Sequence, residues 1–244
     1  MKRLEDCEYY RTDLGVLYCG DCLEIMPLLA DNSIDMILTD PPYGINYLSS
    51  RTDNHEKLKN DGLTEWLEQM PLWLKNFKRV INETGCCCCC CCGGGKTPVT
   101  TYFTIEAIKH FNLIQTLVWR KFIGLGWKYR PAYENIVVLS KSKDKYNWFD
   151  TSKKASNVIE NINQNIPNDK EHPTQKPVEL MELLLSYHAK TGMTILDPFS
   201  GGGSTPVACE KRNLKWIGIE ISEKYCEIAA KRIKIEADQL KMFK

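Results

Sequence analysis

Asp40, Pro41, Pro42 and Tyr43 set a carboxylate, two residues without an N–H and a flat aromatic ring side by side. Proline restrains the backbone and donates no hydrogen bond, so the carbonyls of Asp40 and Pro41 are suited to act as fixed acceptors. Acceptors beside an aromatic plate make a slot for a planar group that carries an amine, such as the exocyclic amine of a nucleobase. The competing reading is a strand that ends in a Pro-Pro turn, with Tyr43 covering the core. Residues 33–38 form a short apolar run just before the motif. Such a run reads as a buried strand that releases the motif at its carboxyl end, where open α/β sheets bind ligands.

A second constellation lies downstream. Residues 193–205 read as a strand ending at Asp197 and Pro198, a loop of Phe199, Ser200, Gly201, Gly202 and Gly203, and a helix that starts near Ser204. Glycines let a backbone approach a ligand closely. Residues 216–220 then form another apolar strand, closing on Glu220, a carboxylate placed to accept from ribose hydroxyls. A glycine loop alone is weak evidence, but a loop followed by a strand-end acid describes a nucleoside pocket.

With His172-Pro173-Thr174-Gln175-Lys176-Pro177 between them, these motifs resemble those of the beta-class DNA amino-methyltransferases, over a span from about Leu14 to about Ile233. The resemblance implies an S-adenosylmethionine-dependent enzyme acting on double-stranded DNA, with the catalytic tetrapeptide ahead of the cofactor loop in a permuted order. Its implied fold is a single α/β domain over residues 1–244, a Rossmann-like doubly wound sheet with a small target-recognition insert at residues 140–171. The implied catalytic residues are Asp40, Pro41, Pro42 and Tyr43. The implied cofactor residues are Asp21, Lys176, Asp197, Phe199, Ser200, Gly201, Gly203, Ser204 and Glu220. Lys176 is expected near the carboxylate of the cofactor's methionine part. Asp21 is expected near the adenine amine, although a helix N-cap would explain it too. Ser204 stands where threonine is common in the family, and it keeps the hydroxyl.

The implied reaction carries a methyl group from a sulfonium to an exocyclic amine, and positioning is its main requirement. Asp40 and the Pro41 carbonyl would hold the two amine hydrogens, and a base flipped out of the duplex would stack on Tyr43. No metal and no cysteine nucleophile is needed. Asp at the first motif position favours the N6 amine of adenine. The N4 amine of cytosine is the nearest alternative, and an RNA methyltransferase or a non-catalytic DNA-binding module are more distant ones. A cognate restriction endonuclease is an implied functional partner, and monomer and homodimer both remain open.

The 244 residues suffice for one α/β domain with a large core. No apolar stretch has membrane length and the first residues lack a signal-peptide pattern, so a cytoplasmic location is expected. The net charge of +1 conceals an asymmetry: acids dominate residues 2–40 and cations residues 109–154. Within the basic segment, residues 120–130 interleave cations, aromatics and glycines, a composition suited to nucleic acid. A solvated lysine-rich surface is the alternative.

The spacing predicts a helix over residues 64–80 with Thr64 as its cap, a helix over 104–111, and strands over 113–119 and 134–139. A further helix follows Pro177, and the last spans 222–234 before a polar tail that frays. Residues 45–62 read as a polar loop. Cys86 to Cys92 are seven consecutive cysteines. Neighbours in a strand point to opposite faces, so they cannot form a mutual disulfide framework, and they lack the separated pairs of a zinc site. Free cysteine packs as a small hydrophobe, which makes this run a central strand buried on both faces.

Overall fold

Period-two burial explains how the strand before Asp40 sits. Ile34 and Ile37 face one apolar layer while Met36 and Leu38 face the other. The same alternation sends Cys87 and Cys89 to the first layer and Cys88 and Cys90 to the second. The computed structural model describes residues 3–44, 62–91, 98–121, 130, 132–163 and 175–242. Its strands are β1 (Glu8–Arg11), β2 (Gly15–Cys19), β3 (Ile34–Thr39), β4 (Ile81–Cys91), β5 (Asn112–Arg120), β6 (Tyr133–Ser140), β7 (Val158–Ile159), β8 (Thr194–Asp197) and β9 (Lys215–Glu220). They form one sheet in the order β1-β2-β9-β8-β3-β4-β6-β5-β7.

Helices cover both faces, as a doubly wound α/β fold requires. On one side lie α1 (Cys22–Ile25), α2 (Leu63–Val80) and α3 (Val99–Ala107), and on the other α4 (Val178–His188), α5 (Ser204–Lys211) and α6 (Glu223–Met242). The buried stripe of α2 is Trp66, Met70, Trp73, Leu74, Phe77 and Val80. Its N-cap is Gly62 without a side-chain bond, so Thr64 is not the cap. Helix α3 starts behind Pro98, earlier than the spacing indicated, and stops before Phe111. Helix α6 runs on to Met242 because Ala237 prolongs its buried stripe past Ile233.

Strands β2, β9, β8, β3 and β4 are mutually parallel, so Cys19, Glu220, Asp197 and Thr39 end at one edge of the sheet. Strand β6 is antiparallel to β4, with Asn135 opposite Cys91, so its first residues arrive at that same edge. After Ser140 the chain leaves at the opposite edge, where Asn147 N–H donates to the Thr84 carbonyl and Phe149 N–H to that of Tyr187. It returns through β7, which pairs in parallel with β5, and Arg120 meets Glu160 at 2.7 Å. The residues expected to form an insert therefore touch both edges. Cys92, residues 45–61, 122–129 and 164–174 lie outside the described residues, and with them most of the polar loop and of the basic connector. Among the described residues no helix is long and apolar enough to cross a membrane.

Strand β4 runs between β3 and β6, and Cys86 through Cys90 are buried on both faces. Cys87 and Cys89, two residues apart on one face, bring their sulfurs to 3.2 Å. Burial pushes the Cys86 thiol up to about 12 and those of Cys88 and Cys89 well above their ordinary range. Thiols that are neither exposed nor ionised react slowly. A maleimide added to the native protein should therefore modify Cys86–Cys90 only after denaturation, as read by peptide mass spectrometry. Native-state modification as fast as that of half-buried Cys19 would contradict this burial.

Candidate active site

Asp40 follows β3 directly and stands at the strand-end edge. Its Oδ2 accepts from Lys176 Nζ at 2.6 Å, while Tyr43 donates its hydroxyl to Oδ1. Lys176 Nζ also donates to the Tyr43 oxygen at 2.8 Å, closing a three-membered cluster. The Asp40 side chain keeps 24% of its accessible surface and that of Lys176 only 6%, so the carboxylate is reachable where the ammonium is not. Trp66 donates its Nε1–H to the Pro42 carbonyl at 2.6 Å and ties the tetrapeptide to α2. Gly44 turns the chain away with φ of 66°, and a Cβ there would lie 2.8 Å from the Trp66 Cβ, so only glycine suits the position.

Behind the ammonium sits Glu134, the second residue of β6. Its Oε2 lies 3.4 Å from Lys176 Nζ, and its Oε1 accepts from Lys121 at 2.5 Å. Burial raises the Asp40 carboxyl above its ordinary value, against the pull of Lys176. Burial opposes the charge of Lys176, but Asp40 and Glu134 outweigh it and hold the ammonium above its ordinary range. Burial would raise Glu134 too, yet Lys176 and Lys121 bring it below its ordinary value. Desolvation and the adjacent Asp40 keep the Tyr43 phenol protonated. These groups form an alternating chain of charges: Lys121, Glu134, Lys176, Asp40.

The glycine loop lies across the neighbouring strand ends. Thr39 donates its hydroxyl to Asp197 Oδ1 at 2.7 Å, and Phe199 N–H donates to the same oxygen at 3.2 Å. Phe199 then meets Trp73 edge to face at 4.9 Å. Ser200 N–H bonds the Ile219 carbonyl at 2.8 Å, and its buried Oγ has no partner among the described residues. Glu220 accepts from Gly201 N–H and Ser222 N–H, both at 2.8 Å, and burial raises its carboxyl. Gly203 opens α5 at φ of 79°, with room for a Cβ only 3.0 Å from that of Ala229. Ser204 donates its hydroxyl to the Lys176 carbonyl at 2.7 Å. Arg232 of α6 donates to the Gly202 carbonyl.

The structure thus gathers Asp40, Pro41, Pro42, Tyr43 and Lys176 in one group, and Asp197, Phe199, Ser200, Gly201, Gly203, Ser204 and Glu220 in another. Asp21 lies at the end of β2, beside the end of β9, and caps α1 by accepting from Leu23 N–H at 2.8 Å. Lys176 links the two groups: its carbonyl meets Ser204, but its ammonium turns to Asp40 and away from the glycine loop. His172, Pro173 and Thr174 lie outside the described residues. Sequence reasoning missed Thr39, Trp66, Glu134 and Arg232. For Glu134 a signal existed, since it is an acid near the start of a strand whose centre, Ile136 to Leu139, is apolar.

A family model described as DNA methylase matches residues 34–231. The chain is 28% identical over 238 residues to the type II methyltransferase M.HpaI of Haemophilus parainfluenzae, covering 90% of this chain and 74% of that protein. It is 27% identical over 257 residues to the type II methyltransferase M.HinfI of Haemophilus influenzae, covering 91% and 68%. Among solved structures, an M1.HpyAVI complex with SAM superposes with a TM-score of 0.67 at 25% identity, covering 90% of this chain and 100% of that one. PvuII DNA methyltransferase, titled cytosine-N4-specific, shares the fold with a TM-score of 0.76 at 18% identity, covering 96% and 94%.

Burial pushes the Asp197 carboxyl up to about 7, despite its bonds from Thr39 and Phe199. Between its unfolded value of 3.8 and that folded value, the native protein holds a proton the unfolded chain has lost. Stability from this group is therefore present at low pH and falls as pH rises toward 7. Urea unfolding should show the wild type losing about 2 to 3 kcal/mol more than Asp197→Asn between pH 5 and pH 8, at ~1.4 kcal/mol per unit. Equal losses in the two proteins would place the titration elsewhere.

Proposed function

The chain belongs to the family of DNA methylases that act on exocyclic amines, and from that premise we propose a site-specific adenine methyltransferase that uses S-adenosylmethionine. The observation that carries this reading is the shared wall between the two groups. Thr39, immediately before Asp40, is hydrogen-bonded to Asp197, immediately before the glycine loop. An amine acceptor and a nucleoside cradle thus stand side by side on adjacent parallel strands.

The residues present suit the cofactor. Asp21 and Glu220 close neighbouring strands with acceptors matched to the amino and hydroxyl donors of an adenosine. The glycine loop is held by its own backbone bonds, and a Cβ at Gly202 would crowd Gln175 Oε1 at 3.0 Å. Bound there, S-adenosylmethionine supplies an electrophilic methyl group on a sulfonium.

Asp40 and the Pro41 carbonyl accept the two hydrogens of the target amine and orient its nitrogen. In the resting arrangement both Asp40 oxygens are occupied, by Lys176 and by the Tyr43 hydroxyl. Oδ1 has a second lone pair for the amine, and a Tyr43 ring that gives up its own bond to Oδ1 is available to stack on the flipped base, a contact worth about 1 to 3 kcal/mol. Asp40 takes up the proton that the amine sheds as it gains the methyl group. Lys176, held by Asp40 rather than by the cofactor's carboxylate, serves in this account as the counter-ion of the acceptor.

Adenine is preferred because the tetrapeptide begins with Asp40, where cytosine-directed relatives often carry serine. The same slot would take the N4 amine of cytosine. DNA contacts are assigned to the basic connector and to residues 140–171, supported by the arrival of Lys121 and Glu160 at the site edge. The reading carries with it a cytoplasmic location and a cognate restriction endonuclease as functional partner.

Methylated DNA digested to nucleosides should contain N6-methyladenine by mass spectrometry, whereas N4-methylcytosine would move the assignment to the sister specificity. Asp40→Ala should lower turnover on the order of 100- to 1000-fold while cofactor affinity is retained. Since burial raises Asp40 and only its ionised form can take up the amine's proton, wild-type activity should fall with decreasing pH at a higher pH than an ordinary carboxylate would dictate. An acid limb below the ordinary carboxylate range would contradict that role.

A further inference from the structure

We propose that Glu134 is a positioning residue for methyl transfer: it shares the Lys176 ammonium with Asp40 and so sets how tightly that ammonium holds the acceptor carboxylate. The inference rests on the reading of Asp40 as the amine acceptor. Glu134 lies on β6, far in sequence from both motifs, and only the antiparallel run of that strand brings it to the strand-end edge. As a structural acid it needs one cation, and Lys121 already supplies one at 2.5 Å. Its other oxygen, Oε2, has no hydrogen-bond partner among the described residues, yet it is buried and faces Lys176 Nζ at 3.4 Å. A buried carboxylate oxygen is costly unless a charge faces it, and here, among the described residues, the ammonium it faces is the one that grips Asp40.

The sharing has a chemical use. Lys176 alone on Asp40 would form a tight, desolvated pair whose oxygens are poor acceptors for a base amine. A second carboxylate on the same ammonium weakens that grip without exposing the charge to water. The other groups around Asp40 do not substitute for it. Tyr43 is a neutral phenol, Cys89 and Cys90 of β4 are thiols, and Asp197 of β8, whose carboxyl is pushed up to about 7 and is common to wild type and every variant compared, bonds Thr39. Lys121 reaches Asp40 only through Glu134.

The test is single-turnover methylation of unmethylated genomic DNA as a function of pH, with enzyme in excess, for wild type, Glu134→Gln, Lys176→Met and Asp40→Ala. Thermal unfolding and equilibrium binding of S-adenosylmethionine run alongside. Glu134→Gln should fold, bind the cofactor as wild type does, and lose rate on the order of tenfold to a hundredfold near neutral pH. Its acid limb should move to lower pH, because Asp40 loses a neighbouring negative charge and keeps all of Lys176. Lys176→Met should move the limb the other way, because Asp40 loses its cation. A purely structural Glu134 would lower the unfolding temperature and leave the limb in place. An unmoved limb and rate in Glu134→Gln, or a limb moving in the same direction as that of Lys176→Met, overturns the inference. Should Glu134→Gln fail to fold, an unmoved limb in Lys176→Met overturns it instead. Wild type active, Asp40→Ala inactive and Glu134→Gln unchanged would sink this inference alone, whereas a wild type that transfers no methyl group would sink the underlying reading with it.

Discussion

One buried ammonium holds the site together. Lys176 stands 136 residues from Asp40 in sequence, yet it bonds that carboxylate, the Tyr43 hydroxyl and, through its own carbonyl, the first residue of α5. A charge so deeply buried persists only where opposite charges surround it, and Asp40 and Glu134 do so. Removing either acid leaves the ammonium with one partner in place of two, so the charge stays compensated while its position is no longer fixed from both sides. In the proposed reading, acceptor geometry and local stability therefore rest on the same contacts.

The sheet makes this meeting possible. Five parallel strands deliver their last residues to one edge, so the carboxylates at strand ends are brought together there by topology. Thr39 and Asp197 join the two central strands just where each releases its functional loop. The reversal of β6 is equally necessary, because a parallel strand there would have carried Glu134 to the opposite edge. The cysteines of β4 fit this plan through size and apolarity alone. They give the sheet a strand buried on both faces next to the one that carries Asp40.

Much of this was legible in the residues. The apolar run before Asp40, the glycine loop and the strand-end Glu220 each carry a local signature, and the cysteine run betrays a two-faced strand by composition. Other features depend on pairing that no short window encodes. Glu134 looks like the opening residue of an ordinary strand until its antiparallel register is known. Lys176 lies in a motif suggestive of the cofactor, but the direction of its side chain is decided by two acids distant in sequence. Helix ends were misjudged for local reasons: Gly62 rather than Thr64 caps α2, and Ala237 extends α6 beyond the expected fraying point.

The most direct measurement is a crystal structure with S-adenosylmethionine bound. The account requires the ribose hydroxyls on Glu220, the adenine beside Asp21, the sulfonium methyl turned toward Asp40, and Lys176 still on the Asp40 carboxylate. A cofactor whose carboxylate draws Lys176 away from Asp40, or whose methyl points away from the tetrapeptide, would contradict it.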